Sequence, residues 1–445
     1  MPTNRTFGPA DHEYDSLRSG FNLAVSHEPE MVVDATSAED IVDTVRYAGH
    51  AGKAVAVMNT GHGPSVEADD AVLIRTGRMR RVAVDPVRRV ARVEAGTLWK
   101  HVIDAAADYG LAPLTGSSPA VGTVGYTLGG GVGLLGRRFG FAADHVTWID
   151  VVTSDGRLRR VSAESEPDLF WALRGAGANF GVVTTMEINL FPVQSLVGGE
   201  LAFGGEACEE VVYVFAELAH SLPESMVASL MLLRYPGDPA VVPRLRGTHM
   251  THLRVADSGM EPGALDRWLD RLRRIGPLLL DTVRVMPYRE VGTIHHEPTD
   301  VPVAAYDRNI LLCEFDVDAA TVLSKLAGAH AEADFLTELR VWGGALSRPP
   351  AVPNVVGGRD AEFSLLAISG PEPEGRARRD HLLDSMSPWA TGMTYPNFSG
   401  VEDTDFDAVR TAYKPDDLAR LQRVKTEYDP NNSFRVNFNI PPKGA

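Results

Sequence analysis

A glycine-rich stretch, TLGGGVGLLGRRFG (residues 127–140), carries the first residues whose spacing could serve a chemical function. Gly131, Gly133 and Gly136 spell the G-x-G-x-x-G pattern of a dinucleotide-binding turn. That fingerprint also needs a strand before it, a helix after it and an acid about 20 residues on. Asp155 could be the acid, but SSPAVGTVGYTLGG is not a buried strand and RRFGFAADH has no helical stripe. The pattern therefore indicates glycine density and not a Rossmann turn.

The glycine density itself predicts a loop that approaches a ligand closely. Glycine allows close backbone approach and positive φ, and successive exposed N–H groups form an anion-binding nest. Apolar residues alternate with these glycines, and a loop exposed to solvent would not require them. They are Val121, Val124, Leu128, Val132 and Leu134. We interpret the segment as a packed loop that cradles a pyrophosphate.

A second candidate is His62, which lies between two glycines in MNTGHGPS. The run KAVAVMNTGHG predicts a buried strand that leads into this turn. A lone histidine is usually structural or exposed. One that is flanked by glycines at the carboxyl end of a buried strand is held in the open, beside whatever the turn encloses. The residue pattern alone leaves both interpretations open.

Local signals define the elements around these two segments. Residues 37–52 are predicted to form a helix in which Ser37 is the N-cap and Asp40 completes a capping box. VARVEAGTLWKHVIDAAADYG predicts a strand and then a helix capped by Thr97. After Pro192, β-rich runs alternate with helical ones such as GALDRWLDRLRRIG. A second domain is expected there, with a sheet that has helices on one face.

Composition excludes several classes of function. The 445 residues carry a net charge of −16, so nucleic acid and anionic membrane are not expected partners. The N-terminal residues lack an apolar signal segment, which predicts a cytoplasmic protein. Cys208 and Cys313 suggest no disulfide and are expected to be small buried apolar residues. Adjacent His295 and His296 cannot form a metal-binding helix face, so we expect an exposed turn and no metal site.

Four segments resemble one family in their order and separation. They are SAEDIVDTVRYAGHAGKAVAVMNTGHG, GSSPAVGTVGYTLGGGVGLLGRRFG, DLFWALRGAGANFGVVT and YDPNNSFRVNFNIPP. The chain resembles the vanillyl-alcohol oxidase superfamily, whose FAD-binding domain is of the PCMH type, and most closely its berberine bridge enzyme-like branch. The resemblance implies an α+β fold with a two-subdomain FAD-binding domain (1–193), a substrate domain with an antiparallel sheet (194–394), and a C-terminal segment (395–445) that returns to the FAD-binding domain.

The resemblance also implies a cofactor and its contacts. His62 occupies the position whose imidazole is bonded covalently to the 8α-methyl group of FAD. The glycine loop and the segment from Gly177 to Val183 would supply backbone donors. The residues implied to contact FAD are Asn59, Thr60, Gly61, His62, Gly63, Ser117, Ser118, Val121, Gly122, Thr123, Gly125, Tyr126, Gly130, Gly131, Gly177, Gly181, Val182, Val183, Asn437 and Asn439.

Three departures from the family pattern carry information. Ser118 stands where many relatives have a cysteine that forms a second bond to the flavin, so we expect FAD attached only through His62. Phe398 replaces the second tyrosine of the motif that reads YPNF here. Phe438 replaces the glutamine of the terminal motif, which reads NFN.

The catalytic candidates are Tyr126 and Tyr395. Each needs cationic or hydrogen-bonding help to act as a base near neutral pH, and a purely structural role for Tyr126 is nearly as well supported. Val121 is expected to be the oxygen gate, because a valine there accompanies oxidase behaviour in the family. Strand alternation does not decide which side the charged and aromatic candidates of the middle region occupy. They are Glu314, Arg340, Trp342 and Arg359.

The leading hypothesis is an FAD oxidase that acts on an alcohol or a C–H/C–N centre of a specialised metabolite. A small-molecule substrate and molecular oxygen are its expected partners, and a monomer or homodimer its expected state. One alternative is a flavin-dependent oxygenase, or an enzyme of oxidative rearrangement or cyclisation. Another is a flavin-holding cyclase or binding scaffold without net redox chemistry.

Overall fold

Three β-sheets follow one another along the chain of the computed structural model, which describes residues 5–63, 66–239, 241–259, 263–297 and 301–444. Helices pack on each sheet, so the chain has the α+β architecture expected from its sequence. None of the helices in the described ranges is both long and apolar enough to cross a membrane.

The first sheet comes from the N-terminal residues and leads to the His62 turn. Its strands are β1 (Thr6–Phe7), β2 (Met31–Asp34), β3 (Val55–Met58) and β4 (Val72–Arg75), in the order β1-β2-β4-β3. Helices α1 (Tyr14–Arg18) and α2 (Ala38–Ala51) belong to this region. The capping prediction for α2 is confirmed, since Ser37 Oγ accepts from the Asp40 N–H at 3.2 Å and Asp40 reaches back to the Ser37 N–H.

The second sheet is antiparallel and leads into the glycine-rich stretch. Its strands are β5 (Val82–Asp85), β6 (Val90–Glu94), β7 (Val146–Val152), β8 (Leu158–Ser162) and β9 (Val182–Asn189), in the order β5-β6-β9-β7-β8. Its helices are α3 (Trp99–Ala107), α4 (Thr123–Leu128), α5 (Gly136–Phe139) and α6 (Pro167–Leu173). The expected Thr97 cap of α3 is wrong: Leu98 is the N-cap, and its N–H bonds to the His101 side chain at 3.3 Å.

The third sheet is antiparallel and has eight strands. They are β10 (Ser195–Gly204), β11 (Met226–Arg234), β12 (His249–Asp257), β13 (Leu278–Asp281), β14 (Arg284–Pro287), β15 (Tyr306–Leu312), β16 (Phe335–Val341) and β17 (Phe363–Ser369). The strand order is β13-β10-β12-β11-β16-β17-β15, and β14 pairs with β10. The accompanying helices are α7 (Cys208–Ala219), α8 (Ala264–Arg273), α9 (Val317–Ala327) and α10 (Pro373–Ser385).

Strand alternation gives the third sheet two different faces. One face, which we call the helix face, packs with α7 to α10 in an apolar core that contains Leu201, Leu230, Leu253 and Leu339. The neighbouring positions in each strand point the other way and include Glu200, Ser229, Arg254, Glu338 and Arg340. We call this second, polar side the cavity face.

The two cysteines differ in their surroundings. Cys208 begins α7 and is buried in the core of the helix face, as expected. Cys313 is exposed, and its thiol donates to the Trp389 carbonyl at 3.1 Å, so the expectation of a buried residue is wrong there. Its position one residue beyond β15 places it where the sheet ends, which apolar patterning does not reveal.

The last part of the chain packs against the first two sheets. After α11 (Phe406–Val409), helix α12 (Pro415–Tyr428) contributes Leu421 and Val424 to the core beside the second sheet. Lys425 is fully buried, and its Nζ donates to the Asn179 carbonyl (2.6 Å), the Phe434 carbonyl (3.2 Å) and Asp429 Oδ2 (2.7 Å). These bonds fix the turn from which the chain runs on towards residues 437–439.

Candidate functional site

His62 lies on a tight turn that follows β3. Gly61 has a φ of +72°, and a side chain there would collide with the backbone of Gly20. The imidazole of His62 is stacked on Phe21, with ring centroids 3.9 Å apart and an interplanar angle of 10°. Burial lowers the pKa of His62 to about 4, so the ring is neutral at pH 7. Its Nδ1 is buried and has no hydrogen-bond partner among the described residues.

The glycine-rich stretch lies directly against this turn. Gly122 is the N-cap of α4, and it packs so closely on the Asn59 side chain that a Cβ at Gly122 would lie 2.7 Å from Asn59 Nδ2. Helix α4 precedes Gly131, and α5 after it has only four residues. The stretch is thus a packed loop with a short helix, which confirms that the G-x-G-x-x-G pattern is not a Rossmann turn.

Tyr126, on α4, is enclosed by glycines of the same loop. Carbon atoms of its ring lie against Gly116 and Gly131, and its hydroxyl lies against Gly133. The ring also meets Trp99 edge to face at 5.4 Å. Its hydroxyl is buried without a partner in the described part of the chain, and burial raises the pKa of Tyr126 well above 10. The side chain therefore keeps its proton at neutral pH.

We predict that Gly133→Ala destabilises this loop, because the new methyl group would overlap the Thr115 carbonyl and press on the Tyr126 hydroxyl. The loss should reach about 1–3 kcal/mol, as is usual for overpacking. Thermal unfolding and the amount of bound flavin measure it together. Gly49→Ala is the matched control, since a Cβ at Gly49 in α2 meets nothing within 4 Å. Equal stability of the two variants would contradict the tight fit.

Tyr395 reaches the same loop from the C-terminal part of the chain. It is 1% exposed, and its hydroxyl lies beside Gly130 without a hydrogen-bond partner in the described residues. Trp342 and Phe398 pack on its ring edge to face, each at 5.2 Å between centroids. Burial raises the pKa of Tyr395 above its ordinary value of 10, so this hydroxyl also stays protonated.

The two C-terminal asparagines place amide oxygens in buried positions. Asn437 Nδ2 donates to the Phe434 carbonyl at 2.9 Å, and Asn437 Oδ1 has no partner in the ranges described. Asn439 Oδ1 is likewise buried and unpaired. Asn179 anchors the residues around them, donating to the Phe438 carbonyl at 2.9 Å and accepting from the Ile440 N–H at 2.8 Å.

The other residues expected at the cofactor differ in whether their polar groups are already hydrogen-bonded within the protein. Ser118 is 5% exposed, and its Oγ accepts from the Ala120 N–H at 3.4 Å. The Gly177 N–H is bonded to the Leu128 carbonyl at 3.0 Å, so this donor is already used. Residues that are placed on the His62 turn, on the loop or in and beside β9 are Thr60, Gly63, Ser117, Val121, Thr123, Gly125, Gly181, Val182 and Val183.

The unpaired buried polar atoms show whether a polar cofactor fits. Buried groups of this kind are normally hydrogen-bonded, and each one left unpaired costs about 1–3 kcal/mol. On the turn, the loop and the two C-terminal segments, eight such atoms lack a partner within the described residues. They are Asn59 Nδ2, His62 Nδ1, Thr115 Oγ1, Thr123 Oγ1, Asn437 Oδ1, Asn439 Oδ1 and the hydroxyls of Tyr126 and Tyr395. This mixture of donors and acceptors fits a flavin ring with its polyhydroxylated chain.

A cavity separates the glycine-rich loop from the cavity face of the third sheet. Its lining includes Ser117 and Gly133 of the loop and Ser229, Arg254 and Arg340 of the sheet. Arg340 and Trp342 thus face the site, which alternation alone did not decide. The other two candidates do not: Arg359 pairs with Asp144 at 2.6 Å, and Glu314 is exposed.

His295 also lines this cavity, and sequence reasoning missed it. The residue is 5% exposed, so the expectation of an exposed turn is wrong for His295, whereas His296 is exposed as expected. Its Nε2 lies 3.6 Å from Glu338 Oε1 of β16, a non-local contact without a local signal. No group of three or more potential metal ligands occurs in the part of the chain that the structure describes.

Comparisons with known proteins agree with this geometry. The family described as "FAD binding domain" matches residues 29–162, which contain the His62 turn and the loop. The family described as "Berberine and berberine like" matches residues 394–441, which contain Tyr395, Asn437 and Asn439. Both ends of the site therefore lie in segments with a family match.

Relatives cover the whole chain. The (R)-6-hydroxynicotine oxidase of Paenarthrobacter nicotinovorans is 28% identical over 98% of this chain and 96% of its own length. An FAD-linked oxidoreductase of Bacillus subtilis is 26% identical over 99% and 97%. A solved chitooligosaccharide oxidase has the same fold, with a TM-score of 0.84 at 21% identity, covering 99% of this chain and 97% of that one. The two family matches, which meet at one site, and the relatives over the full length together support a berberine bridge enzyme-like FAD-linked oxidoreductase.

Proposed function

We propose that this protein is an FAD-dependent oxidase whose flavin is attached by one bond, from His62 to the 8α-carbon. The observation that carries the attachment is the state of His62, a neutral imidazole with a buried, unpaired Nδ1. A ring nitrogen without a proton is the nucleophile that such a bond requires. The stacked Phe21 ring and the tight turn hold the imidazole in one orientation.

The absence of a second bond follows from the positions of the sulfur atoms. Ser118 has the hydroxyl that replaces the thiol in the loop and cannot form a thioether. Cys208 is buried in the core on the helix face of the third sheet, and Cys313 bonds to Trp389 at its edge. Neither sulfur is part of the loop or of the cavity lining. We propose that the flavin is therefore singly attached.

The residues that would hold the flavin are those with unpaired buried atoms. Asn59 and Thr123 would bind it from the turn and the loop, and Asn437 and Asn439 would accept from its ring N–H or hydroxyl groups. When bound, FAD supplies a hydride acceptor that molecular oxygen can reoxidise. Tyr126 and Tyr395, which keep their protons, would donate hydrogen bonds in the site.

The proposed substrate is a small molecule, oxidised at an alcohol or a C–H/C–N centre and belonging to specialised metabolism. The cavity supports this class, because its walls combine apolar and polar groups that suit a partly polar organic molecule. We propose the domain division 1–193 with 395–445 for FAD and 194–394 for the substrate. The sheets and the bonds of Lys425 support it.

Two measurements test the function. Acid-precipitated protein should remain yellow and fluorescent, and a white precipitate would contradict the covalent bond. Anaerobic mixing with candidate substrates should bleach the flavin, and air should restore its colour with release of hydrogen peroxide. Oxygen retained in the product in place of peroxide would indicate an oxygenase, and no bleaching by a bound ligand would indicate a binding scaffold.

Val121 provides a prediction about oxygen. It lies just before α4, half-buried against the core, with its carbonyl bonded to the Trp99 N–H at 3.1 Å. Val121→Leu should slow reoxidation of the reduced enzyme by oxygen at least about tenfold, because the larger side chain narrows the path of oxygen to the flavin. This factor is equivalent to about 1.4 kcal/mol in the activation barrier. Stopped-flow mixing of the reduced enzyme with oxygen measures this rate.

The control for that variant is Val124→Leu, the same change at a buried position three residues later. It should leave reoxidation unchanged even if it lowers stability. Bleaching by substrate should be unaffected in both variants. A Val121→Leu enzyme that reacts with oxygen as fast as wild type would remove Val121 from the oxygen path.

A further inference from the structure

Six side chains form a connected group on the cavity face, which we call the roof network: Glu200, His252, Arg254, His295 and Glu338, which are buried, and Arg340, which is half-buried. Glu200 lies 3.1 Å from both His252 Nδ1 and Arg254 Nε. Glu338 Oε2 accepts from Arg340 at 2.6 and 3.0 Å, and Glu338 Oε1 lies 3.8 Å from Arg254 Nη1. Three strands of one sheet thus contribute to a single group.

The formal charges of the roof network cancel. Two carboxylates face two guanidinium groups, and neighbouring Arg340 helps to hold the pKa of Glu338 well below 4.5, although burial opposes this. Burial lowers the pKa of His295 below 6.5, which leaves the ring neutral at pH 7. A charged substrate would therefore meet no uncompensated opposite charge from this network and would lose its hydration. Arg137, the other guanidinium of the cavity lining, already donates to the carbonyls of Leu222, Met226 and Trp342.

Among the described residues that line the cavity, the buried polar atoms that remain unpaired are neutral. Ser229 Oγ, Trp342 Nε1 and His295 Nδ1 are buried, belong to residues of the cavity lining and have no hydrogen-bond partner among the residues described. A hydroxyl group can satisfy such atoms, because it donates one hydrogen bond and accepts others. The indole N–H can only donate, and it therefore requires an acceptor such as an oxygen atom.

The two nitrogen atoms of His295 have different surroundings. Nε2 lies 3.6 Å from Glu338 Oε1, which favours a proton on Nε2. Nδ1 then carries the lone pair, and it is the atom that has no partner in the described part of the protein. This arrangement, a base whose other nitrogen faces a carboxylate, is the one that general-base histidines use.

We propose that His295 is the catalytic residue that takes the proton from the substrate, that Glu338 is its positioning residue, and that the substrate is an uncharged alcohol. The proposal rests on the oxidase function proposed above. Tyr126 and Tyr395 retain their own protons, and Glu338 already shares its charge with Arg340, so His295 is the best placed acceptor among these groups.

The step balances as an alcohol oxidation. The O–H bond of the alcohol breaks and its proton passes to Nδ1 of His295, while the C–H bond breaks and hydrogen leaves as hydride to the flavin. The C–O bond becomes a carbonyl. Molecular oxygen takes up the hydride hydrogen, its two electrons and the proton that His295 releases, and leaves as hydrogen peroxide.

His295→Gln tests the proton transfer, because glutamine keeps the size and polarity but is not a base. Anaerobic bleaching should slow by about 10²–10⁴-fold, the usual contribution of a general base. The matched control is His249→Gln, another buried histidine of low pKa, which bonds to Ala327 on the other side of the sheet. Bleaching that is equally fast in the His295 variant and wild type would overturn the proposal.

The pH dependence adds a readout that a structural role would not change. Glu338 of β16 and Arg254 of β12 face His295, Glu297 follows it, and Arg340 acts on Glu338. The bleaching rate should fall as pH decreases through the pKa of His295, below 6.5. Glu338 raises that pKa, so Glu338→Gln should shift the acidic limb of the plot of bleaching rate against pH to lower pH. The same variant should also slow the reaction. An acidic limb that stays at the wild-type pH in Glu338→Gln would overturn the role of Glu338.

A third measurement needs no substrate. Histidine ¹⁵N NMR of the holoenzyme, with the His295 signal identified by its loss in His295→Gln, reports which nitrogen carries the proton. We expect an unprotonated Nδ1 at pH 7, and a protonated Nδ1 would overturn the proposal. Holoenzyme that a substrate bleaches without oxygen but that has a protonated Nδ1 separates this failure from failure of the oxidase function, for which no bound ligand would bleach the flavin.

The substrate class is tested with matched probes of one carbon skeleton. Cyclohexanol, cyclohexylamine and cyclohexanecarboxylate differ in charge at pH 7, as do glucose, glucosamine and glucuronate. Within each set, the uncharged alcohol should bind and bleach at least about tenfold better, a difference of about 1.4 kcal/mol. A cation or an anion that outperforms the alcohol of its own set would overturn this part of the proposal.

Discussion

Replacing His62 with alanine should release all of the flavin into the supernatant when the protein is precipitated with acid. The wild-type imidazole is neutral, with Nδ1 unpaired beside the glycine-rich loop, and alanine offers no nitrogen for the bond. The folded variant should still bind FAD, because the asparagine amides and the loop remain. Absorbance of precipitate and supernatant separates bound from released flavin.

The control for this experiment is His27→Ala. His27 is also buried and has a pKa lowered by burial, but it lies on a different segment from the His62 turn. Its precipitate should remain as yellow as that of wild type. If the His62→Ala precipitate is yellow, the covalent bond is made by another residue.

Replacing Lys425 with methionine should lower the free energy of unfolding by about 3–5 kcal/mol, as expected when one partner of a buried ion pair is removed. Asp429 would keep a buried charge without its cation, the Asn179 carbonyl would lose the donor from Lys425, and the Phe434 carbonyl would keep only the bond from Asn437. Because these bonds precede Asn437 and Asn439, flavin binding should weaken too. Thermal or denaturant unfolding and flavin content measure the two effects.

The double variant Lys425→Met, Asp429→Asn separates charge from shape. The amide oxygen of the introduced asparagine can still accept one of the hydrogen bonds that Asp429 accepts from the N–H groups of Ser433 and Phe434. Because the double variant has no unpaired buried charge at position 429, it should be more stable than Lys425→Met alone. A double variant that is less stable than the single one would show that the ion pair is not the source of the loss.

Local sequence signals were enough to predict the elements that carry the site. Ser37 and Asp40 form a capping box within four residues, and the apolar run before His62 is a buried strand. The glycine loop was distinguished from a Rossmann turn by its neighbours alone. These features depend on residues close together in sequence, so pattern and propensity predict them.

The features that escaped prediction depend on distant contacts. The roof network needs the pairing of Glu200 with Arg254 across two strands and the position of Glu338 on a third. His295 is buried beside Glu338, which lies far along the chain on β16. Leu98 replaces Thr97 as the cap of α3, since the His101 side chain supplies a hydrogen bond that no cap preference anticipates.

The two-faced third sheet has a consequence for how such an enzyme changes over generations. Leu230 and Leu253 support the fold, whereas their neighbours Ser229 and Arg254 face the cavity. Residues that determine stability and residues that determine substrate selectivity therefore alternate along the same strands. A library that randomises cavity-facing positions outside the roof network, such as Ser229, should retain mostly folded members while sampling new substrates, which makes this sheet a suitable starting point for directed evolution.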